Sequence, residues 1–314
     1  MIPLATAADC VRRAGSARRR PLAAPAPQDV ARVVAAALAE DHSDDDVTTA
    51  STVPSQQVGD AELVAKEAGV VAGLAVAEAV FRQVVGQALL VEPVAQDGDT
   101  VCPGQVLMRL HGTTAGLLTA ERPALNVLCH LSGIASLTAA WVAAVAAVAD
   151  PPVSVRDTRK TAPGLRALEK YAVRCGGGSN HRTSLADQAL VKDNHIVAAG
   201  GAARAYAAVR ALHPDVPIQV EVQDLGQLRE LLDVGAPHVM LDNMSIDDLR
   251  EAVRLTRGRA RLEASGRLRL ADAGAVARTG VHSVAVGELT HSARALDISM
   301  RLLPAAPTST GRGR

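Results

Sequence analysis

The residues best suited to chemistry stand between Arg156 and Ile196, beside glycines and at the ends of apolar runs. This segment holds eight Lys and Arg against four Asp and Glu, whereas the whole chain balances 33 against 33. Its cations belong to short stretches containing glycine or proline, which form turns and ligand loops in proteins. In a chain that is neutral overall, this cationic cluster predicts a small polyanionic ligand rather than nucleic acid.

Two carboxylates follow later apolar runs in the same way. Glu221 and Asp242 each stand at the end of such a run, and they could serve as a general acid and a general base. Beside so many cations we expect them to stay ionised, which suits magnesium, ribose hydroxyls or a developing positive charge better. A lattice of salt bridges that only stabilises the fold is the alternative for any single one of these residues.

Glycine turns follow the last two apolar runs. Ser265-Gly266 and Val286-Gly287 stand where a predicted strand gives way to a predicted helix. Backbone amides at the start of a helix can bind a phosphate, and the last two units of a barrel are a recurrent place for such a site. Together the two turns predict a phosphate site.

All these residues require a repeated strand and helix framework. From Val153 onward, apolar runs alternate with segments of helical period, which indicates a βα repeat and a parallel sheet, most simply a barrel. The polar candidates stand at the carboxyl ends of the strands, where such barrels build active sites. The predicted strands are Val153–Arg156, Gln188–Val191, Ile218–Val222, His238–Leu241, Arg261–Ala264 and Ser283–Val286.

The first half of the chain has a different pattern of apolar residues. Residues 60–112 mix short strand-like runs with a helix at Leu74–Val85, and turns at Asp97-Gly98 and Pro103-Gly104 separate the strands, so an α+β domain is expected. We expect order to begin near Asp29. Residues 1–27 and 304–314 are predicted to be disordered tails.

Composition restricts the class of protein further. Aromatic residues make up 1% of the chain, which excludes stacking platforms for single-stranded nucleic acid. No uninterrupted apolar run reaches membrane-spanning length, and the Ala/Val-rich stretch 137–149 is predicted to be a packed helix. The four cysteines include no Cys-x-x-Cys pair, which fits a reducing cytoplasm. We therefore expect a cytoplasmic protein that binds neither membrane nor nucleic acid.

Seven short motifs resemble, in their order along the chain, those of the quinolinate phosphoribosyltransferase family. The resemblance extends from about Asp29 to Leu303. The motifs are Leu118-Thr-Ala-Glu-Arg-Pro-Ala-Leu-Asn126, Asp157-Thr-Arg-Lys-Thr-Ala-Pro-Gly164, Gly176-Gly-Gly-Ser-Asn-His-Arg182, Lys192-Asp-Asn-His195, Leu241-Asp-Asn-Met244, Leu262-Glu-Ala-Ser-Gly266 and Leu289-Thr-His-Ser292.

The resemblance implies a fold and an assembly. It implies an N-terminal open α/β sandwich over residues 28–125, to which residues 293–303 return. It also implies a C-terminal incomplete α/β barrel of six or seven strands over residues 126–292. It further implies a homodimer, or a higher assembly such as a hexamer of dimers, in which the sandwich of one subunit covers the barrel of the other. Arg122 would then reach the neighbour's site.

The implied reaction joins quinolinate to phosphoribosyl pyrophosphate and releases pyrophosphate and carbon dioxide, which gives nicotinate mononucleotide for NAD biosynthesis. Lys192 would bridge substrate carboxylate and phosphate, and Glu221 and Asp242 would bind ribose hydroxyls and Mg²⁺. The implied catalytic residues are Lys160, Lys192, Glu221 and Asp242. The residues implied to bind quinolinate are Arg122, Thr158, Arg159, Lys160, His181 and Arg182. The residues implied to bind phosphate are Ser265, Gly266, Arg267, Val286, Gly287 and Glu288.

Three positions depart from the family pattern. Arg267 and Glu288 stand in the two phosphate turns, where the family has Gly and Ala. Either these two side chains pair across the turns, or both point into solvent. Pro123 stands where the family usually has Thr, and we expect it in the first turn of a helix, where proline is tolerated.

Other functions remain open at this point. A sister phosphoribosyltransferase could use nicotinate or be associated with molybdate transport, although two cationic groups for two carboxylates favour quinolinate. A Schiff-base aldolase could use Lys192 as its nucleophile. A phosphate-ligand binding protein would catalyse nothing. His195 is interpreted as a residue that caps or orients its loop.

Overall fold

The computed structural model describes residues 22–149 and 151–304, which form two compact units. The first unit ends at Ser136 and resumes at Arg294, and the second comprises Leu137–Ala293. The predicted tails lie outside the described residues, apart from residues 22–27 and 304. Pro27 begins the first helix of the described residues.

The first unit is built on an antiparallel sheet of four strands in the order β12-β1-β5-β3. Alternation along β5 buries Met108 and Leu110 and exposes Arg109 and His111, so one face of the sheet enters the core and the other is polar. The elements are α1 (Pro27–Glu40), α2 (Val47–Thr52), β1 (Val58–Ala65), β2 (Gly69–Val70), α3 (Leu74–Val85), β3 (Leu90–Pro93), β4 (Thr100–Val101), β5 (Val106–Thr113) and β12 (Ile298–Leu302). Helix α3 has its predicted bounds.

Helix α4 (Thr114–Ala146) is the longest element and begins directly after β5. Sequence reasoning recognised only its last part, and the prediction that Pro123 lies in a first helical turn is wrong, because Pro123 is inside this helix. By length and hydropathy alone α4 could cross a membrane, but half of its apolar window is buried within the protein. Ser132 and Ser136 accept hydrogen bonds from the backbone amides of Ala72 and Val70, as expected for a core helix.

The second unit is a six-stranded parallel sheet in the order β6-β11-β10-β9-β8-β7, surrounded by helices. Each predicted strand is present within one or two residues, and the incomplete α/β barrel expected from the sequence is confirmed. Its strands are β6 (Ser154–Arg156), β7 (Ala189–Val191), β8 (Ile218–Val222), β9 (His238–Asp242), β10 (Arg261–Ser265) and β11 (Ser283–Ala285). Its helices are α5 (Arg166–Cys175), α6 (Asp193–Ala199), α7 (Ala202–Leu212), α8 (Leu225–Asp233), α9 (Ile246–Thr256), α10 (Ala273–Ala277) and α11 (Glu288–His291).

The barrel wall is interrupted between β6 and β7, which are both edge strands of the sheet. Ser179 forms a single parallel bridge with Arg156, and its amide donates to the carbonyl of Val155 at 2.8 Å. The glycines before Ser179 permit this approach, since a Cβ at Gly178 would lie 2.7 Å from the Thr138 side chain. A short stretch of chain therefore stands where a seventh strand would complete the wall.

Candidate active site

A cavity of about 690 Å³ lies at the carboxyl ends of the parallel strands. The predicted residues that line it are Thr158, Arg159, Lys160, His181, Arg182, Lys192, Glu221, Asp242, Ser265, Gly266, Arg267, Gly287 and Glu288. Further lining residues to which the sequence assigned no role are Leu190, Met240, Asn243, Leu268, Ala285 and His291, of which Asn243 and His291 belong to quoted motifs. The βα repeat thus brings residues that are far apart in sequence into one cavity.

Two predicted residues do not line this cavity. Val286 is 1% exposed and belongs to the core behind its turn. Arg122 lies on α4 in the first unit, with a side chain 65% exposed and Nη2 4.0 Å from Glu121 Oε1. An exposed arginine on that helix is free to meet another molecule, so its reach into a neighbour's site stays a prediction.

Arg159 and Arg182 form the cationic side of the cavity. The Nε atom of each is buried and has no hydrogen-bond partner among the described residues. Burial, and then the neighbouring charge of Arg159, lower the pKa of Arg182. Two guanidinium groups with unsatisfied donors and mutual repulsion constitute a site for an anion that carries two negative groups.

His181 lies beside these arginines, but both of its ring nitrogens have partners inside the barrel. Nδ1 accepts the backbone N–H of Arg182 at 2.8 Å, so the proton of the neutral ring belongs on Nε2, which lies 2.9 Å from Gln219 Oε1. Burial lowers the pKa of His181, although the charge of Glu263 opposes this effect. The ring is therefore neutral at pH 7 and orients Arg182.

The anionic groups of the cavity stand on the neighbouring strands β8 and β9. Lys192 Nζ lies 3.3 Å from Glu221 Oε2. Asp242 accepts a hydrogen bond from Asn243 Nδ2 at 2.7 Å. The Lys192 side chain is 47% exposed, unlike the desolvated lysines that form Schiff bases, which disfavours the aldolase alternative. His195 Nδ1 accepts the backbone N–H of Lys192 at 3.0 Å, which confirms its interpretation as a capping residue.

The first predicted phosphate turn depends on a single glycine. Gly266 has φ +121°, and a Cβ there would lie 2.8 Å from the backbone nitrogen of Asn243. This backbone conformation and this close approach both require glycine. The next amide, that of Arg267, donates to Asn243 Oδ1 at 3.2 Å, and the Arg267 side chain is exposed.

The proposed pairing of Arg267 with Glu288 is wrong. Both residues line the cavity, but no ion pair joins them among the described contacts. Glu288 Oε1 instead accepts the indole N–H of Trp141 at 2.9 Å. The carboxylate of Glu288 in the second turn is thus held by Trp141, the only tryptophan of the chain.

Sequence reasoning missed the buried polar residues that support the cavity. Glu263 accepts from Arg156 Nη1 at 2.6 Å and from the Ser283 hydroxyl at 2.7 Å inside the barrel. Asp157 and Lys170 form an ion pair behind the arginines. Glu263 and Asp157 each belong to a motif quoted above, but nothing in a sequence distinguishes a carboxylate that faces a ligand from one that supports its neighbours.

The chain has the architecture of a barrel enzyme. An open α/β sandwich is followed by an α/β barrel, and an ionic cavity lies at the carboxyl ends of the barrel strands. Family profiles described as quinolinate phosphoribosyl transferase, N-terminal domain and C-terminal domain, match residues 46–132 and 134–301. The chain therefore belongs to the quinolinate phosphoribosyltransferase family.

Individual relatives agree with this assignment. Nicotinate-nucleotide pyrophosphorylase (carboxylating) of Mycobacterium leprae is 47% identical over 261 residues, which cover 82% of this chain and 91% of the relative. The crystal structure of NadC from Streptococcus pyogenes has a TM-score of 0.84 at 41% identity and covers 90% of this chain and 99% of that one. The nicotinate-nucleotide pyrophosphorylase of Francisella tularensis has a TM-score of 0.85 at 33% identity, covering 91% and 100%.

Proposed function

We propose that the protein transfers the phosphoribosyl group of phosphoribosyl pyrophosphate to quinolinate, with decarboxylation, to give nicotinate mononucleotide for NAD biosynthesis. The observation that carries this proposal is that Arg159 and Arg182, each with a buried Nε that has no partner among the described residues, lie beside a carboxylate pair in one cavity. Quinolinate is a planar dianion, and each of its carboxylates can take a charge-assisted hydrogen bond from one arginine. Lys160 and Thr158 line the same side.

The charges of the cavity suit the transfer step. The bond between ribose C1′ and pyrophosphate breaks, the pyridine nitrogen attacks C1′, and pyrophosphate leaves with the bonding electrons. Positive charge develops on the ribose, and the carboxylates of Glu221 and Asp242 stabilise it. The Lys192 ammonium, 3.3 Å from Glu221, is available to the departing phosphate.

Decarboxylation follows from the product of that transfer. The quaternised pyridinium nitrogen accepts the electron pair that is released when the bond between C2 and its carboxylate breaks. Carbon dioxide leaves, and C2 takes a proton from solvent. The arginine bound to the second carboxylate keeps hold of it throughout, and this contact keeps the ring oriented.

Magnesium fits this arrangement as a partner of the phosphate substrate. The described residues contain no group of three or more acidic, His or Cys ligands. Mg²⁺ commonly binds one or two carboxylates together with substrate phosphates, and Glu221 and Asp242 supply two carboxylates on adjacent strands. When bound, the ion would neutralise charge on the pyrophosphate leaving group.

We further propose a cytoplasmic homodimer, or a hexamer of dimers, in which Arg122 completes the neighbour's site. The exposed side chain of Arg122 supports this proposal. Arg122→Ala and Lys192→Ala proteins, each nearly inactive alone, should recover activity at one site per mixed dimer after subunit exchange. No recovery, with exchange demonstrated, would assign Arg122 to its own subunit or to no site.

The decisive experiment is a direct assay with magnesium, quinolinate and phosphoribosyl pyrophosphate. We expect nicotinate mononucleotide, pyrophosphate and carbon dioxide in equal amounts. Nicotinate is the matched control, because it has one carboxylate and leaves one arginine unsatisfied. Equal use of nicotinate and quinolinate would contradict the substrate assignment, and product formation by a Lys192→Ala protein at the wild-type rate would contradict the site.

A further inference from the structure

A buried ion pair lies directly behind the cationic side of the cavity without lining it. Asp157 is fully buried and Lys170 is 3% exposed. Lys170 Nζ donates to Asp157 Oδ1 at 2.5 Å. Ion pairs buried this deeply are often no more stabilising than apolar side chains of the same volume, so stability alone does not account for this one.

The ion pair holds the backbone of His181 from both sides. Asp157 Oδ1 accepts the N–H of His181 at 2.8 Å, and Lys170 Nζ donates to the carbonyl of His181 at 3.0 Å. Asp157 Oδ2 also accepts from Asn180 Nδ2 at 2.5 Å. Both backbone polar groups of the residue before Arg182 are therefore fixed by one ion pair.

These contacts replace a strand that is missing at this place. Ser179 makes the last backbone bridge to β6, and β7 begins only at Ala189. Between them, Arg182 Nη1 reaches the carbonyl of Gln188 at 2.9 Å, but the described backbone shows no ladder. Side chains of Arg156, Arg174 and Gln219 also contact this segment, but Asp157 and Lys170 are the residues that hold the backbone N–H and carbonyl of His181.

Position matters here because two like charges face one cavity. Arg159 follows Asp157 by two residues, and Arg182 follows the His181 that Asp157 holds. The two guanidinium groups repel each other, so an unsupported pair would separate until an anion arrived. Groups that are already ordered bind a ligand more tightly, because no binding free energy is lost in immobilising them.

We propose that Asp157 and Lys170 are positioning residues that hold Arg159 and Arg182 at a fixed spacing for a planar dicarboxylate. The identity of that dicarboxylate, quinolinate, rests on the proposed function. The ordering of the two arginines is a property of the protein alone and can be measured without ligand.

The test is the double variant Asp157→Asn, Lys170→Met, which replaces the ions by neutral groups of similar size. We expect a folded protein whose KM for quinolinate rises at least tenfold, while its KM for phosphoribosyl pyrophosphate changes less than twofold. Amide hydrogen exchange over residues 179–183, measured on the protein alone, should accelerate at least tenfold. Leu231→Ala, a cavity variant in α8, is the control: it should lower Tm and leave both KM values and this exchange unchanged.

The outcomes separate this inference from the proposed function. A folded double variant with wild-type KM for quinolinate and wild-type exchange would overturn the inference, as would parallel increases in both KM values. If the wild-type protein does not use quinolinate, the proposed function fails. The exchange measurement, made without ligand, then still decides whether Asp157 and Lys170 order the segment that carries Arg182. Should the double variant not fold, Asn180→Ala removes one contact of the same set and is judged by the same two readouts, with about threefold effects expected.

Discussion

The cationic side and the phosphate side of the cavity hold their functional groups by different means. Arg182 is a charged side chain whose backbone amide is held by the buried His181, which Asp157 holds in turn, and Arg159 lines the same side of the cavity. The turn at Ser265 depends on backbone conformation, which a single glycine provides. Recognition of charge by side chains therefore needs further residues that position those side chains. A backbone turn needs a glycine where φ is positive.

The largest expected effect is on the cationic side. Arg182→Ala removes a guanidinium group from a partly buried charged contact, which costs about 2–5 kcal/mol when the partner charge remains. We expect kcat/KM for quinolinate to fall roughly 100-fold or more, with KM for phosphoribosyl pyrophosphate nearly unchanged. Steady-state kinetics with each substrate varied in turn will check this. Arg182→Lys should recover little, because an ammonium cannot bind a carboxylate in two places. Equal losses for both substrates would remove the distinction between the two sides.

A smaller effect is expected from Gly266→Ala. The added Cβ would overlap the backbone of Asn243 at a positive φ, so the turn must deform. We expect KM for phosphoribosyl pyrophosphate to rise about tenfold, on the order of 1.4 kcal/mol of binding free energy. Gly287→Ala is the matched control, since its Cβ would meet only the flexible end of Lys160 and the His291 ring at 3.2 Å. If both variants behave alike, backbone conformation is not what the first turn requires.

Glu288→Ala should affect stability more than binding. It leaves the buried indole N–H of Trp141 without its acceptor, which costs about 1–3 kcal/mol. Chemical denaturation followed by the fluorescence of the single tryptophan measures this loss directly. Glu288→Gln retains an acceptor and should restore most of the stability. A tenfold decrease in KM for phosphoribosyl pyrophosphate in the Ala variant would instead mean that the carboxylate repels the phosphate.

The smallest expected effect concerns pH. Burial lowers the pKa of His181, so the unfolded chain takes up a proton near pH 6.5 that the folded protein does not. Stability therefore decreases as pH falls below 6.5 and is fully present above it. We expect His181→Gln to remove about 1 kcal/mol of the difference in unfolding free energy between pH 7.5 and 5.5. Identical pH slopes in the two proteins would indicate that folding does not shift the pKa of His181.

The fold was largely predictable because each barrel strand is a short apolar run that ends in polar residues. The same alternation placed Lys192, Glu221 and Asp242 correctly at strand ends, and these residues do line one cavity. Helix α4 was underestimated because Pro123 suggests a helix start, whereas buried packing along the helix tolerates it. Glu288 lines the cavity as predicted, but its partner was missed because Trp141 lies 147 residues away and no local pattern connects the two residues.

The interrupted wall between β6 and β7 links substrate binding to conformational stability. A dicarboxylate held by Arg159 and Arg182 would tie the chain just after β6 to the segment before β7, and so act as a crosslink across the opening. Because such a ligand binds only the folded state, it should stabilise the protein by about 2.7 kcal/mol at 100 times its Kd. At equal saturation, quinolinate should also slow proteolysis near residues 183–188 more than phosphoribosyl pyrophosphate does. A bound dicarboxylate would thus add side-chain contacts across an opening that the backbone bridges only at Ser179.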